Sequence, residues 1–468
     1  MRAERLGAIG CQKPWERTGP VGFLSSSLDI SERWAFMKGW VALLILVVMS
    51  VDGHGEEAWS EFDGVSQVEI RGSAGDYGLY RNGKAYYPLG AGAVPGSLVS
   101  LKAYGANSLR TWHIDEAMLD EAALLGLTVS VCLDVGRERQ GFDYSDAEAV
   151  AEQLARLEAD VLRVKDHPAL LTWIIGNELN LEASNPLVWD AVNAIAEMIH
   201  RVDPNHPVTT ALAGLSARDV ALLQTRAPAL DFISTQVYGG IMGLGEAIIR
   251  LDIKKPIMVT EWGTVGHWEV TSTSWGAPIE LSSADKARHY LQGYQRAIAS
   301  HRGKVIGSYA FLWGQKQERT PTWYGTLMPD GAPTAAADVL AKIWTGRWPE
   351  NQAPEVRLLK VNDRLPSTNL QLEPGSLAQA FVEAADPEGS ALAYRWLLRP
   401  ESQSKAIGGD AELLPEALPD SMITGDSEGV MIRVPSEIGP YRLFVEVSDS
   451  AGFVGHANFP FYVAEPLN

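Results

Sequence analysis

Two apolar runs in this chain end abruptly on a carboxylate. Ala169 to Asn180 reads ALLTWIIGNELN, an apolar run, a bare Gly176, then Asn177 and Glu178; Lys255 to Gly263 reads KPIMVTEWG, a short apolar run ending in Glu261. Runs without alternation predict strands buried on both faces, as in a parallel sheet covered by helices. With these two, eight strands are predicted, at Tyr87–Gly90, Ser108–Trp112, Thr128–Val135, Leu170–Asn177, Val208–Leu212, Phe232–Tyr238, Ile257–Trp262 and Val305–Trp313. Between them, apolar residues recur every three or four positions, as in Asp115–Leu125, Asp146–Val164, Pro186–Arg201 and Ser283–Ala299, which predicts helices. Strands alternating with helices in this number predict an α/β fold, a (β/α)8 TIM barrel.

The pattern changes at both ends of that region. Upstream, VEIRGSAGDYGLYRNGKAYYPLGAG alternates and carries Asn82-Gly83, a strong hairpin signal, so a small ribbon is expected to lead into the barrel. Downstream of an Asn351-Gln352-Ala353-Pro354 linker the runs VRLLKV, AQAFVEA, LAYRWLL, VMIRV, YRLFVEVSD and ANFPFYV alternate between Gly and Pro turns, predicting a small all-β sandwich. The expected organisation is barrel with ribbon at 60–348 and sandwich at 353–468.

The segment Met37-Lys38-Gly39-Trp40 followed by VALLILVVM has the charged-then-apolar order of a signal peptide and is short for a membrane span. A signal peptide at 37–55 starting at Met37 is therefore expected, with residues 1–36 an upstream extension outside the translated protein and the mature chain secreted or periplasmic. The composition is globular, 46% apolar, and the net charge of −19 comes without a basic block in the part taken as mature. Nucleic acid is an unsuitable partner for such a surface. Two cysteines, Cys11 and Cys132, supply no disulfide framework.

Carboxylates ending two separate barrel strands would face one another across the C-terminal rim, where barrel enzymes hold their chemistry. Splitting a sugar acetal needs such a pair, one to protonate the leaving oxygen and one to attack or to activate water. Asn177, beside Glu178, suits a sugar hydroxyl. Tyr238, ending the sixth strand, is placed to donate to a neighbouring carboxylate, and Arg110 in the second strand to hold that carboxylate ionised, leaving the other acid its proton. His113, His167, His267 and His301 form no metal motif, and neither a metal nor another cofactor is expected.

Trp173-Ile174-Ile175-Gly176-Asn177-Glu178, Thr260-Glu261-Trp262-Gly263 and Trp313 ending the eighth strand resemble the barrel of retaining β-glycosidases of glycoside hydrolase clan A, most of all the family 2 barrel domain. The resemblance spans about Tyr87 to Trp344. It implies Glu178 as acid/base, Glu261 as nucleophile, Asn177 as partner of the sugar 2-hydroxyl, Tyr238 and Arg110 as supports of the nucleophile, and Trp313 as floor of the subsite for the attacked sugar. Typical family 2 enzymes carry sandwich domains before the barrel where this chain has the ribbon, which points away from small exo-acting substrates such as galactosides and glucuronides. The C-terminal runs, with Ala385-Asp386-Pro387-Glu388-Gly389 and Val447-Ser448-Asp449, resemble bacterial immunoglobulin-like and cadherin-like modules, in which such aspartates form turns and sometimes bind calcium.

Fifteen Trp add to this picture, since sugar rings pack their C–H faces on aromatics. Trp112 beside His113, Trp268, Trp275 and Trp323-Tyr324 fall on expected rim loops, and WGQKQERTPTWYG from Trp313 brings Gln315, Lys316 and Gln317. Asp134, Arg137 and Glu138 form either a salt-bridged loop or a remote subsite. The expected activity is hydrolysis of a polysaccharide or oligosaccharide, with β-glucan favoured over mannan and other glycans. Transglycosylation through the same two carboxylates, or a carbohydrate-binding surface protein without turnover, are the alternatives.

Overall fold

The computed structural model describes residues 64–73, 75–94, 97–424 and 428–466; the expected upstream extension and signal peptide lie outside them. Among the described residues no helix is long and apolar enough to cross a membrane. A three-stranded antiparallel ribbon comes first: β1 (Val68–Ser73), β2 (Asp76–Arg81) and β3 (Lys84–Tyr86), with Asn82 and Gly83 both at positive φ in the turn. Eight parallel strands then close in chain order: β4 (Leu89–Ala93), β5 (Ser108–Arg110), β6 (Thr128–Leu133), β7 (Leu170–Asn177), β8 (Val208–Ala213), β9 (Ile233–Val237), β10 (Ile257–Trp262) and β11 (Val305–Trp313), which pairs back on β4. Around them lie α1 (Leu98–Ala103), α2 (Glu116–Leu124), α3 (Ala147–Val164), α4 (Leu187–Val202), α5 (Ala217–Arg226), α6 (Leu244–Arg250), α7 (Ser283–Gly293) and α8 (Ala335–Thr345). The fold is the expected (β/α)8 barrel.

Local chemistry accounts for these elements. In α3, Asp146 caps the N-terminus by accepting from Glu148 N (3.0 Å) and Ala149 N (3.2 Å), and Gln153, Leu157, Val161 and Val164 form the buried stripe against the barrel. The helix expected over Ser283–Ala299 is regular only to Gly293 and passes into a π turn at Tyr294–Ile298. Inside the barrel, Leu171, Phe232, Met258, Ile306 and Tyr309 form an apolar layer that Val68 and Leu79 of the ribbon join, so the ribbon plugs the N-terminal end. Cys132, Ile174 and Ala211 cluster further along the strands. The C-terminal ends carry polar groups, and the site is there.

Beyond the barrel, two four-stranded sheets face each other. One is ordered β12-β14-β17-β16 and the other β13-β19-β18-β15, where β12 is Glu355–Val361, β13 Gln371–Leu372, β14 Leu377–Ala385, β15 Ala393–Pro400, β16 Met422–Thr424, β17 Gly429–Arg433, β18 Gly439–Ser448 and β19 Val454–Val463. Strand β14 alternates buried and exposed, whereas β18 and β19 are largely buried on both faces. Their outer face packs on the barrel. There Arg442 grips Glu401 (2.7 and 2.8 Å), Asn458 (2.6 Å) and the Pro278 carbonyl (2.8 Å); Asn458 donates to Glu280 (2.5 Å) and the His456 N–H to Ser283 (2.9 Å). Glu280 also pairs with Lys286 and accepts from Thr320 (2.6 Å) and Thr322 (2.9 Å).

Burial would raise the Glu280 carboxyl, but Lys286, His456 and the hydrogen bonds outweigh it and hold the group at about 2. A carboxyl depressed in the folded state adds stability that is complete above its ordinary 4.5 and is lost as pH falls from there towards 2. Lys286→Met, which strands Glu280 in this interface, is expected to cost about 3–5 kcal/mol. Urea unfolding at pH 7 checks this, a shift under about 1 kcal/mol meaning that water replaces the ammonium.

Candidate active site

Backbone irregularities at two strand ends aim the carboxyl groups. Between Ile174 and Asn177, β7 sets three residues against two of β8, and between Val259 and Glu261, β10 sets two against one of β9. Such bulges kink a strand and redirect side chains. Gly176 at φ +71° and Glu178 at φ +54° complete the turn, and the Glu178 N–H donates to the Ala211 carbonyl at 2.9 Å. A Cβ on Gly176 would lie 2.7 Å from Leu179, so glycine is needed there on both counts.

Only donors converge on Glu261. Its Oε1 accepts from Arg110, from Trp112 Nε1 (3.0 Å) and from Gln236 Nε2 (3.0 Å), and its Oε2 accepts from the Tyr238 hydroxyl (2.8 Å). An acceptor-only carboxylate is the form that four such donors suit. Asn177 joins the same network, its Oδ1 accepting from Arg110 and from Gln236 (2.6 Å), which turns its amide NH2 outward as a donor. Arg110 is fully buried and lies 4.8 Å from the Trp112 ring centre. Glu178 has the opposite surroundings. Burial, then the negative charge of Glu261, pushes its carboxyl up to about 8, against the pull of Arg110 and Arg139. Glu178 is thus arranged to hold a proton at neutral pH, opposite a carboxyl group met by hydrogen-bond donors.

Both open into a cleft of about 1080 Å³ lined by Trp112, Asn177, Tyr238, Trp268, Phe311, Leu312, Gln315 and others. Tyr238 meets Trp268 (5.5 Å), Tyr324 (5.5 Å) and Phe311 (6.0 Å) edge to face. Of the residues expected from sequence, Arg110, Trp112, Asn177, Glu178, Tyr238, Glu261 and Gln315 assemble here. Gln315 also donates to the Pro321 carbonyl at 2.9 Å.

Three expected residues lie elsewhere. Trp313 is fully buried behind the barrel wall, against Tyr104 (5.0 Å) and Trp344 (5.5 Å), with its Nε1 donating to Ser100 (2.9 Å). The reason is a bulge: Ala310 pairs with Ala91 but Trp313 with Ala93, so one extra residue reverses the alternation and leaves Phe311 and Leu312 facing the cleft. Trp323 is buried, its Nε1 donating to the Val265 carbonyl at 3.0 Å, and forms a layer behind the cleft rather than its surface. His113 is exposed and outside the cleft. Among the rim tryptophans, Trp268 lines the cleft while Trp275 packs on Tyr462 of the sandwich at 5.7 Å. Arg137 reaches the cleft, its Nε donating to the Asn177 carbonyl (3.2 Å), whereas Glu138 ties down Ser184 and Asn185. Asp386 and Asp449 act as turn acceptors, for Ser390 N (2.7 Å) and for Ala451 N and Phe453 N (both 2.9 Å). Among the described residues no group of three or more His, Cys, Asp or Glu is arranged to hold a metal ion.

Sequence reasoning missed Gln236, although Ser234, Gln236 and Tyr238 sit at the two-residue period of one strand face and a glutamine in a buried strand needs partners. It also missed Ile407 to Asp410, which line the cleft from a loop between β15 and β16 of the sandwich. No local pattern marks that loop.

Residues 97–265 match the family described as Glycosyl hydrolases family 2, TIM barrel domain. The matched segment contains both Glu178 and Glu261. No curated protein matches the chain. Solved structures similar to it include a β-glucuronidase from Ruminococcus gnavus, 20% identical, over 60% of this chain and 52% of that one with a TM-score of 0.46. Others are β-glucuronidase 2 from Bacteroides uniformis, 14% identical over 85% of this chain and 48% of that one, TM-score 0.46, and a family 5 mannosidase from Rhizomucor miehei, 14% identical over 60% and 97%, TM-score 0.43. The chain spans about half the length of the glucuronidases.

Proposed function

We propose that this chain, whose barrel carries a family 2 glycosyl hydrolase segment, is a secreted retaining β-glycoside hydrolase acting on an oligosaccharide or polysaccharide, with β-glucan as the substrate class. The observation that carries the reading is the unequal pair: Glu261 ringed by donors, Glu178 recessed and raised to about 8. In the first step Glu261 attacks the anomeric carbon and forms an ester to it, while the bond to the leaving oxygen breaks and that oxygen takes the Glu178 proton. In the second, Glu178 removes a proton from water, the water oxygen bonds to the same carbon, and Glu261 departs as carboxylate. Two displacements keep the anomeric configuration. The Asn177 amide, turned outward by its own acceptor bonds, is positioned for the sugar 2-hydroxyl.

Of the cations lining the cleft, Arg139 and Lys316 pair with Asp410 (2.7 Å) and Glu318 (2.9 Å), Arg137 donates to the neutral Asn177 carbonyl (3.2 Å) and Gln140 (3.1 Å), and Arg250 is exposed. Cleft volume, at the upper end for small-molecule sites, suits more than one ring.

The test is a panel of β-glucan, mannan, xylan and galactan oligosaccharides, with proton NMR of the first product anomer and the product lengths. Retention with shortened products supports the reading, and lengthened products identify transglycosylation by the same pair. Inversion overturns the nucleophile, and binding without turnover makes the barrel a carbohydrate-binding scaffold. Because the acid works protonated, kcat/KM is expected to hold through neutrality and fall as pH rises past about 8. A profile that instead falls above pH ~5 would assign the proton to an ordinary carboxyl.

A further inference from the structure

One wall of the cleft is not made by the barrel. Ile407, Gly408, Gly409 and Asp410 belong to the sandwich and face the space in front of Glu178 and Glu261. This strap is fastened at several points. Asp410 takes a two-pronged bond from Arg139 (2.7 and 3.2 Å) and a third from Gln140 (3.1 Å), the Gly409 carbonyl accepts from Lys316 (2.8 Å), and Glu412 accepts from Gln317 (3.1 Å) and the Arg319 N–H (3.0 Å). Gly408 lies at φ +56°, and a Cβ on it would come within 2.8 Å of Leu181 and 2.9 Å of Arg139. Backbone is pressed against the barrel loops as closely as glycine allows.

Where the strap touches decides what it serves. Leu181 follows Glu178 on the turn after β7, and Arg139 stands on the loop after β6, so the strap abuts the segment bearing Glu178. Among the described residues, none of the hydrogen bonds that hold the strap involves Arg110, Trp112, Gln236 or Tyr238, the groups that hold Glu261. Ile407 is half-buried, lines the cleft and, among the described residues, belongs to none of the hydrophobic clusters of the barrel or the sandwich. A general acid stands beside the departing oxygen. We infer that the strap forms the leaving-group side of the substrate site, Ile407 presenting an apolar surface to the sugar beyond the scissile bond and Asp410 fixing that wall through Arg139. The inference rests on Glu178 being the acid, as proposed above. Selection of the glycan on that side then belongs to the second domain, and the same wall receives the acceptor when a second sugar replaces water.

The experiment compares two substrates in the full-length chain: a β-linked oligosaccharide of the best-cleaved glycan, and an aryl glycoside of its single sugar with an acidic phenol as leaving group. For Ile407→Ala and Asp410→Ala, the ratio of kcat/KM on the oligosaccharide to that on the aryl glycoside is expected to fall about tenfold, the scale of a lost apolar subsite contact. A merely structural role lowers both substrates together and leaves the ratio constant. Should Asp410→Ala fail to fold, Ile407→Ala alone decides. A constant ratio with wild-type turnover intact overturns the strap while sparing the carboxyl pair. A wild type that turns over neither substrate overturns the pair, and the strap falls with it.

Discussion

Glu261→Gln is expected to lower kcat on every substrate by about 10⁴-fold or more, the scale on which removing a catalytic nucleophile acts. The substitution keeps the shape of the side chain and removes its charge and half its acceptor capacity. Four donors now point at Glu261, so an amide NH2 in its place meets at least one of them donor to donor, and the fully buried Arg110 loses its counter-charge. Some loss of stability accompanies the loss of rate, and Glu261→Ala with added azide separates the two. A small anion entering the vacated space attacks the anomeric carbon in place of the carboxylate and restores turnover as a glycosyl azide. A mechanism-based inactivator supplies the direct readout, since the mass of one sugar on the peptide bearing Glu261 fixes the nucleophile. The same mass on the peptide bearing Glu178 reverses the roles, and residual activity within tenfold of wild type removes Glu261 from the chemistry.

Glu178→Ala has a different expected signature. General acid catalysis contributes about 10²–10⁴-fold, and it matters most when the departing oxygen is basic. Hydrolysis of an oligosaccharide is therefore expected to fall across that whole range, while the first step on an aryl glycoside with an acidic phenol falls far less. The pH profile adds an independent check. The alkaline limb near 8 belongs to Glu178, raised by burial and by the charge of Glu261, so it disappears in the variant. Persistence of that limb assigns the proton to another group. Tyr238 does not qualify, since burial and the charge of Glu261 raise its hydroxyl well above the ordinary value of 10.0.

The barrel was readable in the sequence because its strands are buried on both faces and separated by amphipathic helices, a pattern few other folds require. Both carboxyl groups were readable for the same reason: each follows a short, mainly apolar run without alternation. Errors arose where backbone geometry departs from its period. The first strand begins at Leu89 rather than Tyr87, since Pro88 has no N–H to give to the ladder. The family resemblance implied Trp313 as a cleft residue, yet the extra residue paired against β4 turned it to the helices and brought Phe311 in. A bulge leaves no local mark in composition, so alternation alone could not reveal it. The strap was out of reach for another reason. Its pairing of Arg139 with Asp410 joins positions 271 residues apart, and such long-range contacts have no signature in a single sequence.

The ion network between α7, Glu280 and the outer face of β18 and β19 bears on how this chain can be re-engineered. Domains joined by a short linker invite cut-and-paste exchange there. Here a cut at Asn351 would open Glu280, Lys286 and Ser283 to solvent on one piece and Arg442, Asn458 and His456 on the other, and would tear one wall from the cleft. A chimera that keeps this chain's barrel must therefore carry the matching surface of its sandwich with it, and the transferable unit is the pair.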